Sequence, residues 1–375
     1  MSKNLKKKFV IVDNSIAYTG AFHCALQQAK ILKDDYEFAF VLSQRSNLKK
    51  IVEQNNFRCY QLPFLEISRS IKNLLYYFPV LLKNGKRLLK ILNEEKADVL
   101  QVNDFYNLVG AKAKRLGFQG KLLTYVRLLP SARPKLLSNW WIRKAKKKSD
   151  AVICVSDAVL KEIQPAKNTF RIYDTVEFPE KYDPIKKETE FINLLYLSNY
   201  IPGKGLNYAL EAFALAYKEQ TDLRLKFFGG DMGLEKNRKY KQGLIKKAEE
   251  SGIKTMVHFN EFTSETEKII KESDIVLNFS EAESFSMTCA EASYYGRPVI
   301  ATKCGGPEEI IEDNYSGLLV ENRNADEMKE AILKLSRDKD LREEMGKAGK
   351  KLVREKFTEE TFKKEFSKVL EEVLS

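Results

Sequence analysis

Short apolar runs separated by helical patterns recur along almost the whole chain, and this alternation constrains the fold more than any other feature. In the first half the runs are KFVIVD (8–13), EFAFVLS (37–43), CYQLP (59–63), DVLQVN (98–103), KLLTYVR (121–127) and AVICVS (151–156). They are continuous and rich in β-branched residues rather than alternating, the pattern of strands buried on both faces of a parallel sheet with helices covering it. A stretch rich in proline and charge, FPEKYDPIKKETE (178–190), breaks the pattern and reads as a linker. Alternation resumes with INLLYLS (192–198), LRLKFFGG (223–230), MVHFNEF (256–262), DIVLNFS (274–280), PVIATKC (298–304) and GLLV (317–320). The expectation is an α/β chain of two doubly wound domains, residues 1–180 and 190–357, with strand ends facing a shared cleft. Beyond residue 324 only helical periodicity remains. The last segment, 357–375, is amphipathic, with Phe362, Phe366, Val369, Leu370 and Val373 on one side.

A chain of 375 residues, 43% of them hydrophobic, is long enough for two such cores. No early stretch has the layout of a secretion signal and no run of 18 apolar residues occurs, so a cytoplasmic protein without a membrane span is expected. The five cysteines (Cys24, Cys59, Cys154, Cys289, Cys304) are scattered without C-x-x-C spacing and read as reduced core residues.

Charge divides unevenly. Residues 1–180 carry 32 Lys and Arg against 16 Asp and Glu, a balance of +16, while the remainder carries 32 against 36, a balance of −4. A partner surface on the first half alone would explain this. Its densest stretches are 67–96, where Ile71, Leu74, Leu75, Tyr76, Phe78, Leu81 and Leu82 lie among Lys72, Lys83, Lys86, Arg87 and Lys90, and 133–148, where Trp140 and Trp141 precede RKAKKK. Lysines mixed with aromatic and aliphatic residues suit an anionic membrane surface, each nearby cation adding about 1 kcal/mol. A solvated helix face with an ordinary buried stripe fits them equally. No nucleic-acid motif or stacking platform accompanies the charge, so nucleic acid is not an expected partner.

The segment EAESFSMTCAEASYYGRPVIATKCGGPEEII (281–311) carries the most chemistry. Ser284 and Ser286 can cap a helix from about Met287 to Tyr295, ended by Gly296 and Pro298. The free N–H groups at its start and the positive end of its dipole attract a phosphate. Glu291 lies about five residues inside, roughly 7 Å along the axis, one sugar ring beyond a docked pyrophosphate. A carboxylate there can accept both hydroxyl protons of a ribose diol. Glu283, on the loop before the helix, falls on the other side of the phosphates. In a chain that is 31% charged, two glutamates eight apart mean little without their flanks.

With those flanks, the segment resembles the Glu-x7-Glu signature of the retaining glycosyltransferases of family 4 (glycosyl transferases group 1), which have the GT-B fold. That pattern reads Glu, a small residue, Phe, Gly, several apolar positions, Glu-Ala, Gly-x-Pro-Val-Ile-Ala, then Gly-Gly-x-x-Glu and two hydrophobic residues. This chain supplies Glu283, Phe285, Glu291, Ala292, Gly296, Pro298, Val299, Ile300, Ala301, Gly305, Gly306, Glu309, Ile310 and Ile311 in register. The resemblance implies two Rossmann-like domains, the second binding a nucleoside diphosphate sugar, with the final helix (358–375) crossing back to the first. It also implies donor contacts from Glu291, Glu283, Phe285, Ser286, Met287 and Thr288.

Other segments fit the family in part. In LSNYIPGKGLNYALEAF (197–213), Lys204 and Gly205 match its Lys-Gly, but Ser198 and Asn199 stand where Gly and Arg are usual. Lys204 at a helix start is a compact charge suited to a diphosphate. The missing Arg leaves room for another cation, for which Arg127 at a strand end is a candidate. FFGGDMG (227–233) resembles the family's glycine-rich turn, making Gly229 and the nearby Phe262 donor candidates. In AYTGAFH (17–23), Thr19 and Gly20 occupy the usual Gly-Gly place, and His23 follows in the first turn of a helix. No nicotinamide fingerprint follows either first strand. Where many members carry His-x-His-Asp, this chain has Gln101, Val102, Asn103 and Asp104. Without the imidazoles, general-base catalysis by histidine is not indicated, and Asp104 is left to position the acceptor. This suits a retaining reaction in which the leaving phosphate takes the acceptor's proton. The lone Asp-x-Asp, DKD (338–340), lies in a charged helical region, so no metal and no cofactor is expected.

The reading is a glycosyltransferase moving a sugar, with retention, to a hydroxyl of a glycan or lipid-linked acceptor in cell-envelope polysaccharide synthesis. It would be cytoplasmic or peripheral on the inner membrane face. An epimerase or hydrolase of the same fold, and an inactive sugar-nucleotide-binding scaffold, are the alternatives.

Overall fold

The computed structural model describes residues 6–65, 71–176 and 190–375. The expected linker from 178 to 189, and residues 67–70 of the basic stretch, lie outside the described residues. Contacts divide the chain into two units, residues 1–175 with 359–375, and residues 176–358.

The first unit runs β1 (Lys7–Asp13), α1 (Gly20–Leu32), β2 (Tyr36–Ser43), α2 (Lys49–Gln54), β3 (Arg58–Leu62), α3 (Ile71–Glu95), β4 (Val99–Asn103), α4 (Val109–Arg115), β5 (Lys121–Val126), α5 (Lys135–Lys148), β6 (Ala151–Cys154), α6 (Asp157–Ile163) and β7 (Thr169–Arg171). Its strands form one parallel sheet in the order β3-β2-β1-β4-β5-β6-β7. Every residue of β4 is buried, whereas the edge strands β3 and β7 are mostly half-exposed. The central strands therefore read as unbroken apolar runs. β7, with three residues and an open edge, leaves no such run, and the sequence reading missed it.

The second unit runs β8 (Ile192–Leu197), α7 (Leu206–Tyr217), β9 (Leu223–Phe228), α8 (Glu235–Glu250), β10 (Val257–Asn260), α9 (Thr266–Lys271), β11 (Ile275–Asn278), α10 (Met287–Tyr294), β12 (Val299–Thr302), α11 (Pro307–Ile310), β13 (Gly317–Val320), α12 (Ala325–Arg337) and α13 (Lys339–Lys356). Its parallel sheet has the order β10-β9-β8-β11-β12-β13. In each sheet the order reverses beside the first strand, between β1 and β4 and between β8 and β11. There the helices on either side diverge and the C-terminal strand ends open a crevice.

The final helix, α14 (Glu359–Leu374), belongs to the first unit. It buries the five apolar residues named from periodicity, and Phe366 packs 6.1 Å from Phe9 of β1 and 6.5 Å from Tyr36 of β2, centroid to centroid.

Candidate active site

In the second unit, four loops converge at the C-terminal ends of β8, β9, β11 and β12. Tyr196, the fifth residue of β8 and fully buried, ties two of them. Its hydroxyl accepts from the Phe279 N–H at 2.8 Å and donates to the Lys204 carbonyl at 2.6 Å. The apolar run 274–280 overshoots β11 for this reason: Phe279 turns its N–H to a side chain instead of the ladder. Gly205 then caps α7 at φ 74°, and a Cβ there would stand 1.9 Å from the Phe279 carbonyl oxygen, so only glycine fits.

These constraints bring Lys204 to Glu283, Nζ to Oε1 at 2.8 Å, and the Ser280 hydroxyl donates to the same oxygen at 2.7 Å. Both charged side chains are partly buried, the carboxylate more than the ammonium. The stretch carrying Glu283 is clamped to the loop after β12: the Glu283 N–H donates to the Cys304 carbonyl at 3.1 Å and the Gly306 N–H to the Glu283 carbonyl at 2.8 Å. A Cβ on Gly306 would lie 2.2 Å from the Phe285 carbonyl oxygen, which accounts for the second glycine of the Gly-Gly pair.

The helix expected after this loop runs from Met287 to Tyr294, and Ser286 alone is its cap, accepting from the Cys289 N–H at 3.4 Å. Ser286 has φ 86°, where the resemblance puts a glycine. A side chain in that conformation costs about 1–2 kcal/mol, offset by the cap and by a 2.7 Å bond from Asn278 Nδ2. Glu291 lies four residues into α10, about 6 Å along its axis, and is half-buried, as are Met287 and Thr288. Thr288 Oγ1 is 3.4 Å from the Leu197 carbonyl. Phe285 is buried edge-on against Phe357, centroids 5.1 Å apart, so its main chain and not its ring is left for a ligand.

Asn199, at the position of the usual Arg, brings no charge. Its Oδ1 accepts from the Gly230 N–H at 3.0 Å and holds the glycine-rich turn, while a Cβ on Gly229 would meet the Ser198 carbonyl oxygen at 1.8 Å. Phe262 is exposed. Burial pushes the thiols of Cys289 and Cys304 up to about 12, which removes them as nucleophiles.

In the first unit the ends of β1, β4 and β5 meet in a buried polar network. Asn103 Nδ2 donates to Asp13 and, at 3.0 Å, to the Ala21 carbonyl. Arg127 donates to Asn103 and Asp174 and stacks over Tyr125 at 4.4 Å. Expected as a spare cation for the diphosphate, Arg127 is instead 6% exposed, and Asp174 pairs with its charge. Asp13, Asp174, Tyr196 and Ser280 were missed from sequence, although Asp13, ending an apolar run, carried a usable signal.

Thr19 caps α1 through the Phe22 N–H at 3.2 Å and lies 3.1 Å from the Ser15 hydroxyl. Gly20 opens the helix with no described atom within 4 Å of where a Cβ would stand. His23 Nδ1 is 2.7 Å from the Tyr18 hydroxyl.

Asp104 is buried at φ 145°, a strained conformation, and accepts from the Phe105 N–H at 2.9 Å and the Arg127 N–H at 3.3 Å. Burial pushes its carboxyl up to about 7 from 3.8. With the folded value raised, stability is fully present below about pH 4, is lost as pH rises to about 7, and is then level. The ionised form costs roughly 4 kcal/mol. Asp104→Asn, which keeps an acceptor oxygen, should flatten the urea midpoint between pH 4 and pH 8 and raise it at pH 8. A midpoint that still fell across that range would contradict the assignment.

Residues 177–352, nearly the whole second unit, match the glycosyl transferases group 1 family. The chain is 26% identical over 336 residues to an uncharacterized glycosyltransferase of Methanocaldococcus jannaschii, covering 86% of each protein. It is 25% identical to the N-acetyl-alpha-D-glucosaminyl L-malate synthase of Bacillus anthracis, covering 83% of this chain and 84% of that one. Among solved structures, the Anabaena protein HepE in complex with UDP-glucose superposes with a TM-score of 0.82 at 19% identity, covering 97% of this chain and 99% of HepE. The protein is a glycosyltransferase with two Rossmann-like domains of the GT-B type. Its match to the glycosyl transferases group 1 family lies within the second unit.

Proposed function

We propose that the protein transfers a sugar, with retention, from a nucleoside diphosphate sugar to a hydroxyl of a glycan or lipid-linked acceptor in envelope polysaccharide synthesis. The observation that carries this is the Lys204–Glu283 pair, held at the C-terminal strand ends beside the start of α10. Lys204 and the first N–H groups of α10 would bear the diphosphate, Glu291 the ribose diol and Glu283 the transferable sugar. HepE, of the same fold, has been captured with a UDP-sugar, which supports this class of donor. In the reaction the bond from the sugar's anomeric carbon to the diphosphate oxygen breaks and a bond to the acceptor oxygen forms on the same face. The acceptor's proton passes to the leaving phosphate. Departing charge is met by Lys204 and fixed N–H donors, with no metal invoked.

The donor half is tested by thermal shift against UDP-, GDP- and ADP-sugars, where ligand at 100 times Kd adds about 2.7 kcal/mol. Glu291→Ala should weaken the stabilising nucleotide sugar about tenfold, since a carboxylate bridging a diol is a charge-assisted pair. An unchanged shift and unchanged turnover would refute the ribose assignment. Among the described residues no helix is long and apolar enough to cross a membrane. Attachment at the inner membrane face would rest on the basic, aromatic-bearing surfaces of α3 and α5.

A further inference from the structure

Helix α3 departs from what a surface helix needs. Tyr77, Asn84, Leu88, Ile91 and Leu92 are buried at helical spacing, and beyond residue 82 the opposite face is basic, with Lys83, Lys86, Arg87 and Lys90. In the preceding turns that opposite face is apolar too: Leu75 is 71% exposed, Phe78 63%, Tyr76 57% and Leu82 39%. A helix apolar on all sides belongs against something apolar. One that then turns basic belongs where hydrocarbon meets anionic headgroups.

Beneath this part of α3 lies a slot walled by Phe64, Tyr77, Val80, Leu81, Tyr106 and Trp141, with Arg133 over the Tyr106 ring at 5.2 Å. Walls so largely aromatic and aliphatic suit a hydrocarbon chain better than a sugar ring. Among the described residues, three that line the slot carry buried polar atoms with no hydrogen-bond partner: Asn84 Oδ1, Asn107 Nδ2 and Trp141 Nε1. Neither amide can be flipped to remove its orphan, because Asn84 Nδ2 donates to the Pro63 carbonyl at 3.0 Å and Asn107 Oδ1 accepts from the Val109 N–H at 3.2 Å. Buried polar atoms are normally satisfied by protein, water or ligand, so three around one slot give a polar ligand atom places to bond.

We propose that this slot seats the chain-proximal part of a single-chain lipid phosphate, the anionic amphiphile that carries the acceptor, drawn from a bilayer on which the outer face of α3 rests. The proposal rests on the glycosyltransferase reading only for the word acceptor. Hydrocarbon fills the aromatic slot, the free N–H donors and Arg133 meet phosphate or hydroxyl oxygens, and the lysines of α3 face neighbouring anionic headgroups.

The test uses Trp140→Phe, which leaves Trp141 as the sole tryptophan of the two and makes its emission a reporter from inside the slot. Titration with monomeric dodecyl phosphate should give a saturable spectral change. Val80→Phe, which fills the slot, should abolish it. Arg133→Gln, at an exposed position, should weaken dodecyl phosphate about tenfold while leaving dodecyl maltoside unaffected. Several outcomes would overturn the proposal: no saturable response, an equal response to dodecyltrimethylammonium, inorganic phosphate acting alone, or indifference to Val80→Phe. So would binding to anionic vesicles with Trp141 silent, which would leave a membrane surface without a seat. Donor thermal shifts on the same preparation keep the two ideas apart, because they can fail while the Trp141 response stands, and the reverse.

Discussion

Replacing Lys204 by alanine should lower turnover by about 10²–10³-fold and weaken nucleoside diphosphate binding, whereas Glu283→Gln should lower turnover as far yet leave that binding equal or tighter. The asymmetry follows from their contact. Nζ and Oε1 are 2.8 Å apart, so in the free protein each partly neutralises the other. A bound diphosphate competes with Glu283 for the ammonium. Removing the carboxylate's charge frees Lys204 for the phosphates but deprives the sugar of its acceptor group. Removing Lys204 leaves Glu283 with the Ser280 hydroxyl as its remaining partner and repels the incoming anion. Residues in contact are not additive, so Lys204→Ala with Glu283→Gln should bind diphosphate better than Lys204→Ala alone. Calorimetry with the bare nucleoside diphosphate, beside initial rates, separates the two effects. Identical binding losses in both single variants would show that the pair does not divide phosphate from sugar.

The largest stability effect is expected at Gly205. Gly205→Ala meets two penalties, a left-handed φ of 74° and a Cβ 1.9 Å from the Phe279 carbonyl oxygen. The first costs about 1–2 kcal/mol and the second, an overpacked contact with main chain, about 1–3 kcal/mol more. Gly203 provides the control, since it has φ 88° but nothing within 4 Å of the missing Cβ. Gly203→Ala should therefore lose only the conformational part. Gly20→Ala, with ordinary φ and open space, should leave the urea midpoint unchanged or raise it slightly. If Gly205→Ala were no worse than Gly203→Ala, the close approach of the loops after β8 and β11 would be wrong. Activity lost in Gly20→Ala at full stability would place a ligand against the start of α1.

How legible a segment was in the sequence depended on how many neighbours had to be known. Strands β1, β4 and β8 were legible because burial on both faces writes a continuous apolar run. The inner side of α14 was legible because helical spacing alone selects Phe362, Phe366, Val369, Leu370 and Val373. Lys204 and Glu283 could be named as candidates, but 79 residues separate them, and their ion pair depends on Tyr196 holding both loops. Arg127 shows the opposite case. At a strand end it resembled a free cation, and only Asp174, 47 residues later and in no motif, reveals that its charge is paired. Ser286 could be named from sequence as a helix cap, and only its φ shows the cost of its conformation and the hydrogen bonds that offset it.

By itself the sequence determined the α/β class, the two sheets, the amphipathic final helix and the signature segment. Each is written locally, by periodicity, propensity or residues in fixed register. Tertiary structure decided which charges meet, which glycines have no room for a side chain, which carboxyl is forced toward neutrality at Asp104, and which polar atoms beside α3 lack partners. These depend on distances between segments far apart in the chain, and burial and electrostatics are set by those distances rather than by order along it.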